Sequence, residues 1–221
     1  MWQPQVDALT SRIEVYAPNL PGFGTEEPRV LPVRDAADRL AEDFEARGMR
    51  SVHLCGLSLG GMVALAMAGR HPTLVQSLVV SGAQSRVSRW LRTLLLGIGR
   101  VLPERMLLSG SNLPDQAGPE MRAAEQRLAR RMGKAGILSA MRSAAEADLT
   151  EDLFRITCPT LVMCGERDNG LNRSAARRIA AAVAGAELLM IPGAGHVWNL
   201  EQPERFNAEL LRFIASVDAG E

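Results

Sequence analysis

Short apolar runs alternate with helical patterns along most of the chain. Five runs of four or five residues, each bounded by glycine, proline or polar residues, are predicted to be strands: residues 13–16, 51–55, 77–80, 160–164 and 187–191. Helical patterns lie between and after them, at residues 34–47, 60–69, 174–184 and 204–215. The first of these places Ala37, Leu40 and Phe44 on one face, as a surface helix does. The alternation predicts an α/β fold, with helices on both faces of a mostly parallel sheet.

The alternation stops between residues 84 and 156. Arginine-rich helical patterns replace it there, and a Pro- and Gly-containing stretch at residues 113–119 divides them. We interpret residues 84–156 as a helical lid insertion into a core formed by residues 1–83 and 157–221. In this insertion three arginines flank Trp90, and they either bind a carboxylate or form a solvated helix face, which is the commoner use of such residues: Arg86, Arg89 and Arg92.

Composition narrows the classes of partner. The 221 residues are 47% hydrophobic, which suits one core and a small insertion, and 25 basic residues balance 25 acidic ones. Without a net charge we expect neither nucleic acid nor a membrane as partner. Three cysteines without C-x-x-C spacing, no signal-peptide pattern and no apolar run long enough to span a bilayer predict a soluble cytoplasmic protein.

A candidate nucleophile lies at Gly56-Leu57-Ser58-Leu59-Gly60, directly after a predicted strand and at the start of a predicted helix. Such a tight turn strains the backbone of its serine and requires small neighbours, here Gly56, Gly60 and Gly61. The helix N-terminus adds a positive dipole and free N–H groups. The alternative is a glycine-rich turn with an ordinary capping serine.

A serine hydroxyl needs a base within hydrogen-bond reach. Of the three histidines, His53 lies inside a predicted strand and His71 at a helix end before a proline, so we interpret both as structural. His196 ends the glycine-containing turn of residues 192–196, after the last predicted strand. The pattern favours His196 as general base, the alternative being a solvent-exposed loop histidine.

The third group of a triad would orient the histidine. Asp168 closely follows a predicted strand, and Glu166 is its nearest rival; the alternative for Asp168 is a turn or capping residue. Ligands of open parallel sheets bind outside the carboxyl ends of the strands. Ser58, Asp168 and His196 all fall at such ends, in that order, which predicts a Ser-His-Asp triad. No cluster with metal-ligand spacing occurs, so we expect no metal and no cofactor.

These segments resemble the α/β hydrolase superfamily over nearly the whole chain, at residues 19–24, 52–61, 159–168, 191–196 and 201–203. Within it the chain is most similar to small lidded esterases, enol-lactonases and cofactor-free haloperoxidase-like proteins. The resemblance implies hydrolysis of a small carboxylic ester or lactone through an acyl-enzyme. A serine nucleophile argues against the haloalkane dehalogenase branch, which uses aspartate.

The chain departs from the family pattern in two places. Asn19 and Thr25 stand where relatives usually have Asp and Ser. Relatives also carry, before the helix that begins near Trp2, a hairpin and a central strand ending in a His-Gly turn. That turn gives one oxyanion-hole N–H, whereas the N–H of Leu59 gives the other.

Nothing precedes Met1 here, and loss of one donor typically lowers turnover by about 10²- to 10³-fold. A start codon placed too late is the favoured explanation, with true truncation as the other. Without the central strand, either residues 13–16 pair directly with residues 51–55 or the sheet has unpaired edges. The alternative functions are therefore a catalytically impaired binding protein, or an acyltransferase or perhydrolase; the sequence does not predict the oligomeric state.

Overall fold

Four parallel strands form the single sheet of the computed structural model, which describes residues 1–23, 30–109, 113 and 118–220. They lie in the order β1 (Val52–Leu57), β2 (Val75–Ser81), β3 (Thr160–Gly165) and β4 (Glu187–Ile191). Each lies within two residues of its predicted bounds. Because the strands run parallel, all four carboxyl ends meet at one edge of the sheet.

Helices cover both faces of this sheet, so the predicted α/β fold class is confirmed. One face packs against α2 (Val33–Ala46), α3 (Leu59–Arg70) and α8 (Gly170–Ala182). The other packs against α1 (Gln3–Leu9), α9 (Trp198–Glu201) and α10 (Pro203–Asp218).

Apolar spacing explains which helix faces are buried. In α2 the buried residues Val33, Ala37, Leu40 and Phe44 recur every three or four positions, so one stripe faces the core. By contrast, α3 is buried on all sides from Gly61 to Gly69, because it lies between the sheet and α2. A helix apolar all round is stable only in such a position.

Four helices lie between β2 and β3. They are α4 (Arg89–Val101), α5 (Glu104–Ser109), α6 (Pro119–Glu146) and α7 (Thr150–Arg155). Of the predicted dividing loop, residues 114–117 lie outside the described residues. Ser139 and Ser143 of α6 donate to the carbonyl oxygens of Val30 and Leu31, at 3.0 and 2.7 Å, which ties α6 to the segment before α2. None of the helices that the structure describes is long and apolar enough to cross a membrane.

Residues 13–16 form no strand, so that prediction is wrong. A strand requires a partner, and among the described strands β1 pairs with β2 alone. Side chains hold this segment instead: the Tyr16 hydroxyl donates to Asp43 Oδ2 at 2.9 Å, and its ring lies edge-on to Phe44 with centroids 5.8 Å apart. The two alternatives were direct pairing of residues 13–16 with β1 and an unpaired edge of the sheet. In the described residues the outer edge of β1 is unpaired, and direct pairing does not occur.

We expect Arg34→Met to lower the free energy of unfolding by about 2 kcal/mol or more, because it leaves the buried carboxylate of Asp152 without its charged partner. Asp152 of α7 is 1% exposed and accepts from Nε and Nη2 of Arg34, at 3.0 and 2.9 Å. The matched control is Arg39→Met in the same helix, whose exposed pair with Glu42 should contribute less than about 0.5 kcal/mol. Urea unfolding of both variants checks this, and equal losses would contradict it.

Candidate active site

Ser58 occupies a strained turn between β1 and α3. Its φ of 54° and ψ of −121° make it the one non-glycine residue with positive φ in the described part of the chain. Such a backbone typically costs about 1–3 kcal/mol and persists where surrounding structure enforces it. Here the N–H of Ser58 donates to the carbonyl oxygen of Ser81 at 2.9 Å, which fixes the turn to the end of β2.

Two of the three glycines around Ser58 are required by close packing. A Cβ on Gly56 would collide with the backbone of Gly60, and one on Gly61 would lie 2.8 Å from the Cβ of Ala83. A Cβ on Gly60 would meet nothing within 4 Å, so the predicted need for a small residue there is wrong. The reason is that the strand and the helix touch at Gly56 and Gly61, whereas the α-carbon of Gly60 faces open space.

Leu59 is the first residue of α3, so its N–H has no acceptor within that helix. It directly follows Ser58 and is partly buried. In the segment predicted to lie near the pocket, Asn19 to Phe23 are described and the N–H of Phe23 donates to Leu20 at 2.9 Å. Gly24 and Thr25 lie outside the described residues.

Asp168 and His196 form a hydrogen-bonded pair. Asp168 lies three residues beyond β3 and is 5% exposed, and its Oδ2 lies 2.8 Å from His196 Nδ1. The hydrogen bonds of His196 to described side chains all run through Nδ1, so none of them occupies Nε2. The rival carboxylate, Glu166, is exposed and makes no such contact with the imidazole among the described hydrogen bonds.

The carboxyl group of Asp168 remains ionised despite its burial. Burial alone acts to raise its pKa, but hydrogen bonds from His196, from Asn172 and from the backbone N–H of Asn169 together hold the pKa below its usual value. The backbone bond is 2.7 Å and the Asn172 bond 2.8 Å long, both to Oδ1. An anion therefore faces Nδ1, which favours the tautomer protonated at that nitrogen.

Backbone contacts join the turn of Asp168 to the loop of His196. The N–H of Arg167 donates to the carbonyl oxygen of Ala194 at 2.8 Å. Gly165 lies so close to the carbonyl oxygens of Ala194 and Gly195 that any Cβ would displace them. The loop continues through Gly195, whose N–H donates to Glu201 Oε2 at 2.8 Å. The acid and the histidine are thus held by one packed unit.

The end of β2 connects this unit to Ser58. A Cβ on Gly82 would lie 2.9 Å from Cε1 and Nδ1 of His196, so the imidazole packs against the bare α-carbon. Ser81, the residue before it, accepts from the N–H of Ser58, and its hydroxyl accepts from Trp198 Nε1 at 2.8 Å. The imidazole therefore packs at the end of β2, and β2 is the neighbour of β1, which ends one residue before Ser58. Neighbouring strands of a sheet lie about 5 Å apart.

The other candidate residues lie elsewhere. His53 is at the beginning of β1, with Nδ1 2.9 Å from Ser77 Oγ and Nε2 3.3 Å from Asp218. His71 follows α3, and its Nε2 lies 2.8 Å from Asp38 Oδ1. Both histidines therefore lie away from the edge of the sheet where β1 meets Ser58. In the described part of the chain no group of His, Cys, Asp and Glu has the arrangement to hold a metal ion.

Cysteine offers no rival nucleophile near Ser58. Burial raises the pKa of Cys55 to about 12. Burial, followed by the charge of Asp168, raises the pKa of Cys164 to about 11. Since the thiolate is the reactive form, both thiols are protonated and inert at neutral pH.

Sequence reasoning missed two amides that support the pair. Asn172 Nδ2 lies 2.8 Å from Asp168 Oδ1 and 3.0 Å from His196 Nδ1, and Gln84 Nε2 donates to Asn172 Oδ1 at 2.6 Å. When Nδ1 is protonated and donates to Asp168, it cannot accept a hydrogen bond from Asn172. The Asn172 amide then donates only to the carboxylate. Because Gln84 begins the predicted insertion, this chain of amides joins the insertion to the pair.

For the ester hydrolysis that the family resemblance implies, we expect Asn172→Ala to lower kcat about 10- to 100-fold with little change in KM. The substitution removes a buried hydrogen bond to a carboxylate, worth about 1.5–3 kcal/mol, and so loosens the orientation of His196. The control is Ser174→Ala on the same helix, an alteration at the helix surface. Steady-state kinetics of both variants check this; a rise in KM alone would contradict the positioning role.

The model of the α/β hydrolase family matches residues 1–209. The chain belongs to this family. The predicted family and the prediction of an α/β hydrolase enzyme are thereby confirmed.

Hydrolases from several bacteria are similar to this chain in sequence and in structure. Over 227 residues the chain is 28% identical to RutD of Pantoea ananatis, a protein named as a carbamate hydrolase, covering 96% of this chain and 82% of the relative. A hydrolase from Pseudomonas aeruginosa PA01 superposes with a TM-score of 0.82 at 25% identity, covering 96% of this chain and 84% of that one. A thermophilic esterase from Thermogutta terrifontis superposes with a TM-score of 0.78 at 25% identity, covering 98% and 85%.

Proposed function

We propose that this α/β hydrolase is a serine hydrolase that cleaves small carboxylic esters or lactones through Ser58, His196 and Asp168. The observation that carries the proposal is the hydrogen-bonded pair of the buried Asp168 and the partly buried His196, packed against Gly82 beside the turn of Ser58. The strained backbone of Ser58 supports it, because strain of this kind concentrates at functional sites.

In the first half of the proposed reaction, Ser58 Oγ attacks the carbonyl carbon of the substrate. Its proton passes to Nε2 of His196, while Asp168 stabilises the resulting imidazolium through Nδ1. The tetrahedral intermediate collapses when Nε2 returns the proton to the leaving alcohol, which leaves an acyl group on Ser58. In the second half, Nε2 of His196 takes a proton from a water molecule, whose oxygen attacks the acyl carbon. The bond from that carbon to Ser58 Oγ then breaks, Nε2 returns the proton to Oγ, and the carboxylic acid is released.

Charge develops on the carbonyl oxygen during both halves. The N–H of Leu59 is the proposed donor to this oxyanion, because it follows the nucleophile directly and lies at the positive end of α3.

The proposed substrate class rests on the kind of bond that enzymes similar to this chain are named for cleaving. Esters, lactones and the carbamates named for RutD all present an acyl carbon bonded to a leaving group. The similarity to an esterase favours a carboxylic ester. We propose that residues 84–156, which contain α4 to α7, form a lid, since Gln84 at the beginning of this segment donates to Asn172 beside the pair.

Pre-steady-state hydrolysis of p-nitrophenyl acetate tests the proposal. We expect a burst of p-nitrophenol close to one equivalent per chain, followed by slower turnover, because an acyl-enzyme accumulates. Parallel assays with a γ-lactone and with a p-nitrophenyl carbamate rank the substrate classes. Folded protein that releases no p-nitrophenol above the Ser58→Ala background would refute hydrolysis at this site.

A further inference from the structure

Large apolar side chains face water along the outer side of α4. Trp90, Leu94, Ile98 and Val101 recur at helical spacing, and they are 70, 50, 44 and 81% exposed. We call these four residues the α4 stripe. Single exposed apolar residues are ordinary, but a contiguous row marks an interaction surface.

The packing of α4 on α6 holds the stripe outward. Gly99 is buried, and a Cβ there would lie 2.9 Å from Leu138 and 3.1 Å from Met141, so the two helices are in close contact at that point. Lys134 Nζ also donates to the carbonyl oxygens at the end of α4, those of Arg100 and Leu102, both at 2.8 Å. At about 100° per residue, the α4 stripe lies on the sides of the helix away from Gly99.

Positive charge lies on one flank of the stripe. At about 100° per residue, Arg89 and Arg100 lie roughly 80–100° round the helix from Trp90, at one edge of the stripe, whereas Arg92 lies on the side of Gly99. Helix α4 contains no acidic residue, and none occurs from residue 84 to 103. Glu104, the next acidic residue, accepts from the backbone N–H of Lys134. The whole chain has 25 basic and 25 acidic residues, so its total charge is balanced. The positive charge of this segment is a local excess that acidic residues elsewhere in the chain offset.

We propose that the α4 stripe docks on an anionic lipid surface. A helix with Trp and Leu on one side and arginines beside them lies in the headgroup region, where the apolar face enters the acyl boundary and the cations contact phosphate. Tryptophan favours the same depth. The prediction of no membrane partner rested on the balanced total charge. At physiological salt, charges attract a surface only within about 10 Å, so the local arginines decide whether α4 is attracted to anionic lipid.

A second copy of this chain fits the same surface less well. If two α4 helices packed face to face, the arginines of one would meet those of the other, and α4 offers no acidic residue to pair with them. An anionic surface satisfies both the apolar row and the bordering charge. The inference is independent of the proposed chemistry at Ser58.

Vesicle binding by the intact protein tests the proposal. Equal parts of phosphatidylglycerol and phosphatidylcholine form the anionic vesicles, and phosphatidylcholine alone forms the neutral ones. We expect co-sedimentation with the anionic vesicles, weakened by added salt, and a shift of tryptophan emission to shorter wavelength. The shift should vanish in Trp90→Phe while binding is retained, because neither of the other two tryptophans is on α4: Trp198 is buried, and Trp2 packs against Phe206.

Substitutions on α4 separate the two contributions. Trp90→Ser should weaken vesicle binding tenfold or more, and Arg89→Gln or Arg100→Gln about fivefold each. All three side chains are exposed, so the fold should be retained, as circular dichroism would check. Phe154→Ser is the matched control, because Phe154 is 72% exposed but lies on α7; its binding should equal that of the wild type.

Three results would overturn the proposal. The first is absence of binding, or equal binding to neutral and anionic vesicles. The second is an equal loss of binding in Phe154→Ser and Trp90→Ser, which would indicate a general effect of exposed apolar groups. The third is a wild-type dimer by light scattering that Trp90→Ser converts to a monomer, because the stripe would then be covered by a second copy.

Discussion

Replacement of Ser58 by alanine is expected to lower kcat for ester hydrolysis by about 10⁴- to 10⁶-fold. The substitution removes the only atom that forms the acyl-enzyme in the proposed mechanism, whereas Asp168, His196 and the Leu59 N–H stay in place. Weak residual catalysis by the remaining groups sets the lower end of this range. Steady-state hydrolysis of p-nitrophenyl acetate measures the loss.

Ser58→Gly is the informative companion variant. It should be as inactive as Ser58→Ala, yet its free energy of unfolding should be higher by about 1 kcal/mol or more, because glycine adopts positive φ without strain. Urea unfolding of the two variants gives the difference. Substantial activity in either variant would show that the nucleophile lies elsewhere, and equal stability would show that the turn is not strained.

Replacement of Asp168 by asparagine is expected to lower kcat by about 10⁴-fold while leaving KM nearly unchanged. An asparagine amide can donate to Nδ1 of His196, which would move the imidazole proton to Nε2. The nitrogen that must accept the Ser58 proton would then be occupied. Nearly equal size keeps the side chain among its present partners, so the loss would report the tautomer and the missing charge.

Glu166→Gln is the matched control for this prediction. It makes the same chemical change two residues earlier, at the carboxylate that was the nearest sequence rival, and this side chain is exposed. We expect kcat to change less than about twofold. A large loss in Glu166→Gln with activity kept in Asp168→Asn would reverse the assignment.

Local pattern was sufficient to predict the elements that position the site. Each of the four strands has a dense apolar run bounded by turn residues. Parallel strands have such continuous apolar runs because helices cover both faces of the sheet. The strand-to-helix turn at Ser58 was recognisable because Gly56 and Gly61 must be small where β1 and α3 touch. Topology then put Ser58, Asp168 and His196 at one edge.

The failures concern partners that lie far away in sequence. Residues 13–16 have strand-like composition, but a strand exists only with a neighbour, and β1 pairs with β2 instead. The amides of Gln84 and Asn172 are ordinary polar residues until folding brings them together across 88 positions. Ser81 likewise connects the Ser58 turn to Trp198 only in three dimensions. No spacing rule in one sequence signals such contacts.

The central claim is that the hydroxyl of Ser58 is activated by the Asp168–His196 pair. Its most direct test is labelling of the intact wild-type protein with a fluorophosphonate, followed by peptide mass spectrometry. We expect one phosphonyl group per chain, on the peptide that contains Ser58, and much slower labelling of His196→Ala. Folded wild-type protein that stays unlabelled, or that is labelled at another serine, would contradict it.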